Sequence, residues 1–292
     1  MPILKVAQLE KSYRMGFIPK LHKVLHGVTF ELPERSITGF LGGNGAGKTT
    51  TIKCLLGLAY PDTGEVRFFN NEELTENVKK RIGFLPERPY FYEYLTGLEF
   101  LEFYGQLSTR LKRRDLKQKS ENLLKRVDLW HARDKKLKEY SKGMLQKIGV
   151  AQALIHDPEL VILDEPMSGL DPDGRFYLAE IIRETAREGR CVFFSSHLLN
   201  DAEALCERLV IMKGGAVTYE GGLEPFLAKM GEAAIIRYLA NGHEQSLRVE
   251  TDSALQDEIK KLLDQGAHIV DVKKDRNLEQ AFIKHGLRGG GP

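Results

Sequence analysis

Short, largely apolar runs recur along the chain and alternate with stretches of helical spacing. Ser36 to Leu41 (SITGFL), Leu160 to Asp164 (LVILD) and Arg190 to Ser195 (RCVFFS) are runs of this kind, the second bounded by Pro158 and Pro166. A run without polar alternation predicts a strand covered on both faces. A helix is predicted from Lys48, directly after the first run, and another over Gly174 to Glu188, stopped by Gly189. Val210 to Lys213 and Ala216 to Glu220 flank Gly214-Gly215 and predict a hairpin. Buried strands separated by helices imply an α/β fold with a largely parallel sheet between helical layers.

The rhythm changes between residues 89 and 158, where strands stop and the text turns helical, rich in Lys, Arg, Leu and Tyr. This stretch reads as a helical insertion into the α/β core. A second boundary falls near Gly221-Gly222. Beyond it, Ala234 to Ala240, Leu247 to Glu250 and His268 to Val272 predict strands, and Ser253 to Leu263 and Asn277 to Lys284 predict helices. The expected organisation is a main domain over 1–221, with its helical part at about 89–158, and a small α+β appendage over 222–292. The last residues, Gly289 to Pro292, are expected to fray.

Composition narrows the function classes. With 43 Lys and Arg against 41 Asp and Glu, the 292-residue chain carries a net charge of only +2. That balance argues against a protein held on nucleic acid or on acidic membrane by bulk charge. No apolar stretch approaches the ~18 residues of a membrane span, and the N-terminus lacks a signal layout. Cys54, Cys191 and Cys206 are far apart and fit neither a zinc spacing nor a disulfide framework, so a reducing cytosol is expected.

Two constellations carry chemistry. Gly42-Gly43-Asn44-Gly45-Ala46-Gly47-Lys48-Thr49 fits GxxxxGK[ST] between a predicted strand and a predicted helix. Glycines let the backbone curl round a phosphate chain with its N–H groups inward, and the helix N-terminus adds positive potential. Lys48 can reach the β- and γ-phosphates, and the Thr49 hydroxyl can ligate Mg²⁺. With Thr50, these residues form the candidate nucleotide-binding set. The second constellation is Asp164-Glu165, at the tip of an apolar strand. Asp164 there can hold Mg²⁺, directly or through water, and Glu165 can act as general base on the attacking water.

The block Tyr140-Ser141-Lys142-Gly143-Met144 lies upstream of the acid pair, and with it the chain resembles the ATP-binding subunits of ATP-binding-cassette (ABC) transporters. The block stands where that family has its signature LSGGQ and keeps Ser141 and Gly143. The longer run YSKGMLQKIGVAQALIHDPELVILDEP resembles the multidrug- and polymer-export branch, as does Asn277 to Phe282 (NLEQAF) near the C-terminus. The resemblance covers roughly residues 3 to 220. It implies a P-loop ABC cassette: a parallel core sheet, an antiparallel β portion and a helical subdomain. It also implies that ATP with Mg²⁺ is held between two cassettes, identical or paired. One would supply Lys48, Thr49, Asp164, Glu165 and His197, the other Ser141 and Gly143.

Further matches follow. Ser168-Gly169-Leu170-Asp171 is similar to the D-loop that crosses between subunits. Ser195-Ser196-His197 resembles the switch histidine, which donates to the γ-phosphate. Tyr13 resembles the aromatic that stacks on adenine; packing of the first hairpin is the competing role, and Phe17 a second candidate. Glu87 takes the Q-loop glutamine position in Gly83-Phe84-Leu85-Pro86-Glu87, where a carboxylate can ligate Mg²⁺ or its water. Arg35 stands where a glycine is usual in the turn before the phosphate-loop strand. The implied partners are an integral-membrane permease and a second cassette, with no nucleic acid. The implied location is cytoplasmic, on the inner face of the membrane.

Tyr90, Phe91, Tyr92, Tyr94, Phe100, Phe103 and Tyr104 crowd one short stretch. They form either a groove for a short cytoplasmic helix of the permease or the core of the helical insertion. The basic run around residues 110 to 119 is a solvated helix face or a contact with lipid headgroups. A soluble cassette ATPase acting on ribosomes or DNA is the alternative function, but such chains typically carry two cassettes or a long coiled-coil insertion. This one has a single phosphate loop and no sustained heptads. Asp171 to Gly174 fits the DxxG of GTPases, yet no NKxD follows to read guanine.

Overall fold

The computed structural model describes residues 2–15, 20–228, 234–240, 243–249, 251–274, 278–279 and 282. They belong to two compact units, the first through Glu220 and the second from Gly221.

The first unit opens with two long strands, β1 (Pro2–Met15) and β2 (Lys20–Pro33). In β2, Val28, Phe30 and Leu32 are buried while Thr29 between them is exposed and Glu31 half-buried. That alternation suits a sheet with one wet face. The next strand, β3 (Ile37–Leu41), is buried at every position. The turn before it holds Arg35 at φ 53°, a left-handed conformation that glycine adopts more easily. The phosphate loop follows β3, and α1 (Lys48–Leu55) leaves it. β4 (Thr63–Phe68) then returns to the first sheet, which is antiparallel in the order β2-β1-β4.

A short helix, α2 (Glu76–Lys79), leads into β5 (Ile82–Leu85). Three helices come next: α3 (Gly97–Ser108), α4 (Arg113–Arg126) and α5 (Lys142–Leu154). Thr96 and Glu99 form a capping box at the start of α3. The chain re-enters the core as β6 (Leu160–Leu163), then α6 (Pro172–Arg187), β7 (Cys191–Ser196), α7 (Leu199–Leu205), β8 (Arg208–Lys213) and β9 (Ala216–Gly222). The second sheet has the order β5-β6-β7-β3-β8-β9, and β5, β6, β7, β3 and β8 run parallel. Gly214 and Gly215, at φ 55° and 79°, make the tight turn of the predicted hairpin. Phe30, Phe40 and Phe193, one from each of β2, β3 and β7, pack with ring centroids 5.0–5.7 Å apart and tie the two sheets into one core.

The predicted helix from Gly174 begins two residues earlier, at Pro172. Proline fits the first helical position, and the Asp171 carboxylate accepts from Gly174 N at 2.9 Å, capping the helix. The aromatic-rich stretch is part core and part surface. Phe100 is buried, Phe91, Tyr92 and Tyr104 are half-buried, and Tyr90, Tyr94 and Phe103 are 83%, 66% and 39% exposed.

The second unit holds α8 (Leu223–Ala228), β10 (Ala234–Ala240), β11 (His243–Val249), α9 (Asp252–Asp264) and β12 (His268–Lys274). Its antiparallel sheet, ordered β11-β10-β12, packs Ile236 and Val249 against Leu262 of α9. β11 starts four residues before the predicted Leu247, because its first half is polar and edge-exposed. Phe17, Glu250 and Gly289 to Pro292 lie outside the described residues. So does most of the predicted Asn277–Lys284 helix, of which Leu278, Glu279 and Phe282 are described and helical.

Candidate nucleotide site

The site grows from the C-terminal ends of β3, β6 and β7. β3 delivers Gly42, where an added Cβ would lie 2.6 Å from the Met212 carbonyl, so only glycine passes. Gly47 closes the loop at φ 104° and precedes α1, which has no side-chain cap. The free amides at the helix N-terminus and in the loop are therefore aimed at whatever the loop encloses. Lys48 is 7% exposed and its ammonium folds back on the loop, donating to Gly42 O at 2.8 Å and Gly43 O at 3.4 Å. It also lies 3.5 Å from Glu165 Oε1.

The acid pair sits at the tip of β6, whose four residues are all buried. Asp164 is 2% exposed and Glu165 9%. The Ser195 hydroxyl, at the end of β7, locks the pair: it donates to Asp164 Oδ1 at 2.6 Å and accepts from Glu165 N at 2.8 Å. Glu165 has φ 51°, a left-handed conformation that costs a non-glycine residue about 1–2 kcal/mol. The turn swings its carboxylate towards Lys48 and His197. His197 Nδ1 donates to Glu165 Oε2 at 2.7 Å.

Burial pushes the Asp164 carboxyl above its ordinary value. Hydrogen bonds from Ser195 and Thr49 pull it down, and the charges of Glu165 and Glu87 push it up again. A buried carboxylate facing two other acids favours an added cation. Mg²⁺ takes hard oxygens from one or two carboxylates and fills the rest of its octahedron with phosphates and water. Thr49 and Asp164, with Glu87 on the same rim, fit that requirement. Among the described residues no group of three or more His, Cys, Asp or Glu is placed to hold a metal.

Gly43 to Thr50, Glu87, Glu165 and His197 line one cavity of about 450 Å³. Val24 and Ser168 line it too, and neither was singled out for this role from the sequence. Val24 is an ordinary strand valine until the fold brings β2 to the loop. Ser195 was also missed, although its place at a strand end beside His197 was a usable signal. Tyr13 pairs with His22 in the β1–β2 ladder, with Lys11 Nζ 5.3 Å from its ring centroid, and does not line the cavity. Gly42 and Asp164 stand behind the cavity wall.

Ser141, Gly143 and Asp171 are elsewhere. They line a second cavity of about 570 Å³, which shares no residue with the first. Ser141 caps α5, its hydroxyl accepting from Met144 N at 3.3 Å. The Lys142 side chain lies across Gly169, filling the space a Cβ would need there. The three cysteines are free and buried; burial drives the Cys191 thiol up to about 11 and Cys206 higher still.

A glycine loop cradling a lysine at the end of a central parallel strand, beside an acid pair two strands away, defines a P-loop nucleotide-hydrolysing protein. Residues 25–168 match the family model described as ABC transporter. The chain is 42% identical over 228 residues to the ABC transporter ATP-binding protein all4389 of a Nostoc species, covering 77% of this chain and 68% of that one. It is 33% identical over 282 residues to the ABC transporter ATP-binding protein MJ1023 of Methanocaldococcus jannaschii, covering 97% and 98%. A solved ATP-binding subunit of an ABC transporter superposes with a TM-score of 0.68 at 30% identity, over 78% of this chain and 93% of that one. The chain belongs to the family of ABC transporter ATP-binding proteins and is an ATPase coupled to transport. Among the described residues, no helix is long and apolar enough to cross a membrane.

Proposed function

We propose that this ATPase is the motor subunit of an export-type transporter and works on Mg-ATP held between two copies of the chain. The observation that carries the reading is the separation of its site residues. Lys48, Thr49 and Glu165 line one cavity and Ser141 and Gly143 another, so a γ-phosphate on the loop of one copy would need the signature segment of its partner.

The amides of Gly42 to Thr50 would cradle the phosphates. Lys48 would exchange the carbonyls of Gly42 and Gly43 for phosphate oxygens, and Tyr13 would lie against the adenine side of the loop. Thr49, Asp164 and Glu87 would hold Mg²⁺, whose charge offsets that developing on the β- and γ-phosphates. Glu165 would take the proton of the attacking water. His197, already bonded to that acid, would orient it and then turn to the γ-phosphate. Asp171 would face the seam between copies.

Mixing two inactive variants tests the composite site. Lys48→Ala and Ser141→Arg each disable both sites of a two-fold dimer, yet their heterodimer retains one site made of intact halves. Random exchange should restore about a quarter of the wild-type ATPase rate, because half the dimers are mixed and each has one good site. No recovery on mixing would overturn a site shared between copies.

The export reading is supported by the YSKGM block and the run that follows it, and it requires a separate permease to carry the solute. The exposed aromatics Tyr90 and Tyr94, which follow Glu87 within seven residues, suit a docking surface for that permease. Tyr90→Glu with Tyr94→Glu should leave ATP binding by the purified subunit unchanged and uncouple hydrolysis from transport in the assembled transporter. Transport at the wild-type rate would remove the aromatics from this role. In this reading residues 1–221 form the cassette, its helical subdomain at about 89–158 faces the permease, and 222–292 is an accessory domain. The permease would hold the subunit on the cytoplasmic face of the membrane.

A further inference from the structure

The turn joining α3 to α4 combines two features that the ATPase cycle does not use. Phe103 and Leu107 lie one helical turn apart on α3, Leu111 follows just beyond it, and they are 39%, 70% and 43% exposed. Around them sit Arg110, Lys112, Arg113, Arg114 and Lys117, all exposed. Among the described residues, none of these five cations has a side-chain hydrogen bond or an ion pair. Basic residues a little further along are paired: Lys119 with Asp157, and Arg126 with Glu184 and Glu188. The turn thus gathers five exposed cations between positions 110 and 117.

Its placement also works against the helix. Lys112 occupies the N-cap of α4 without a side-chain cap bond, and Arg113 and Arg114 begin the helix, with Asp115 the one acid in its first turn. Cations at a helix N-terminus oppose the macrodipole and weaken the helix. The arrangement raises positive potential at the turn at the expense of local stability. Exposed leucines ringed by cations suit a surface of negative charge with hydrocarbon beneath it. Folded acidic proteins and nucleic acids would satisfy the cations but leave the leucines wet.

We propose that the α3–α4 turn docks on the anionic phospholipid headgroups of the bilayer. The location rests on the permease reading above. The Phe103 ring is 5.4 Å from that of Tyr92, which in turn contacts Tyr90 and Tyr94, so the turn borders the surface assigned to the permease. A permease is embedded in the bilayer, so a charged surface beside its docking face is within reach of the headgroups.

The test uses the full purified chain and vesicles without permease, so its failure and that of permease docking are read separately. Co-sedimentation should show binding to phosphatidylcholine vesicles that contain phosphatidylglycerol, weakened by salt, and little binding to phosphatidylcholine alone. Arg113→Gln, Arg114→Gln and Lys117→Gln together should weaken that binding about a hundredfold, since each cation near an anionic surface contributes roughly fivefold. Their ATPase activity and circular dichroism should match the wild type. Leu107→Ser with Leu111→Ser, which changes no charge, should also weaken it. Equal binding to neutral and anionic vesicles, or no loss in the triple variant, would overturn the proposal. So would binding to polyglutamate or RNA with none to vesicles, which would assign the turn to a soluble polyanion.

Discussion

Glu165→Gln should bind ATP as the wild type does, lose hydrolysis by about 10²–10⁴-fold, and accumulate as an ATP-bound dimer. The expectation follows from how the side chain is held. The strained turn, the Ser195 bond to Glu165 N and the contact with His197 Nδ1 fix the position without requiring a negative charge. A glutamine amide can keep the histidine bond through its carbonyl oxygen. What it cannot do is accept a proton from water. The neighbourhood of Lys48 also becomes more positive when its 3.5 Å acidic neighbour is neutralised, which favours retention of the triphosphate. Phosphate release measures the first effect and light scattering of the ATP-loaded protein the second. Turnover near the wild-type rate would take the general-base role from Glu165.

Lys48→Ala should cost nucleotide affinity. A hydrogen bond to a charged group contributes about 1.5–3 kcal/mol, or roughly ten- to a hundredfold in Kd. The buried position of Lys48 puts the expected loss at the upper end, because water cannot replace the ammonium freely. The variant also strands the Gly42 and Gly43 carbonyls and leaves Glu165 without its nearest cation. Calorimetric titration with ATP should therefore be accompanied by a melting curve, so that lost affinity is separated from lost folding. Unaltered binding in a folded variant would contradict the phosphate-loop assignment.

Much of the architecture could be read from the sequence because its strands are short and wholly apolar. β3, β6 and β7 announced themselves as buried runs, and Gly214-Gly215 as a turn, since in each case local composition and global position agree. The phosphate loop and the acid pair were legible for a related reason: their chemistry is concentrated in consecutive residues. β1 and β2 were harder, their charged and apolar residues interleaved over two long, half-wet strands broken by irregular register. α6 starts two residues before the predicted Gly174, because Asp171 caps it and Pro172 suits its first position. Val24 could not be found by motif, since it enters the site only when a distant strand arrives beside the loop. The separation of Ser141 from Lys48 is likewise a fact of three dimensions; their order in the chain shows only that both exist.

Position 165 also carries a warning for anyone who would make this chain more robust. A left-handed glutamate is an invitation to any stabilisation screen, which would rank glycine or asparagine there as a gain of the order of the 1–2 kcal/mol that the turn costs. Either substitution discards the carboxylate that faces Lys48 and His197. Thermal hardening of this ATPase must therefore leave this strained residue untouched and look for improvement at sites such as Arg35, where a left-handed turn bears no chemistry.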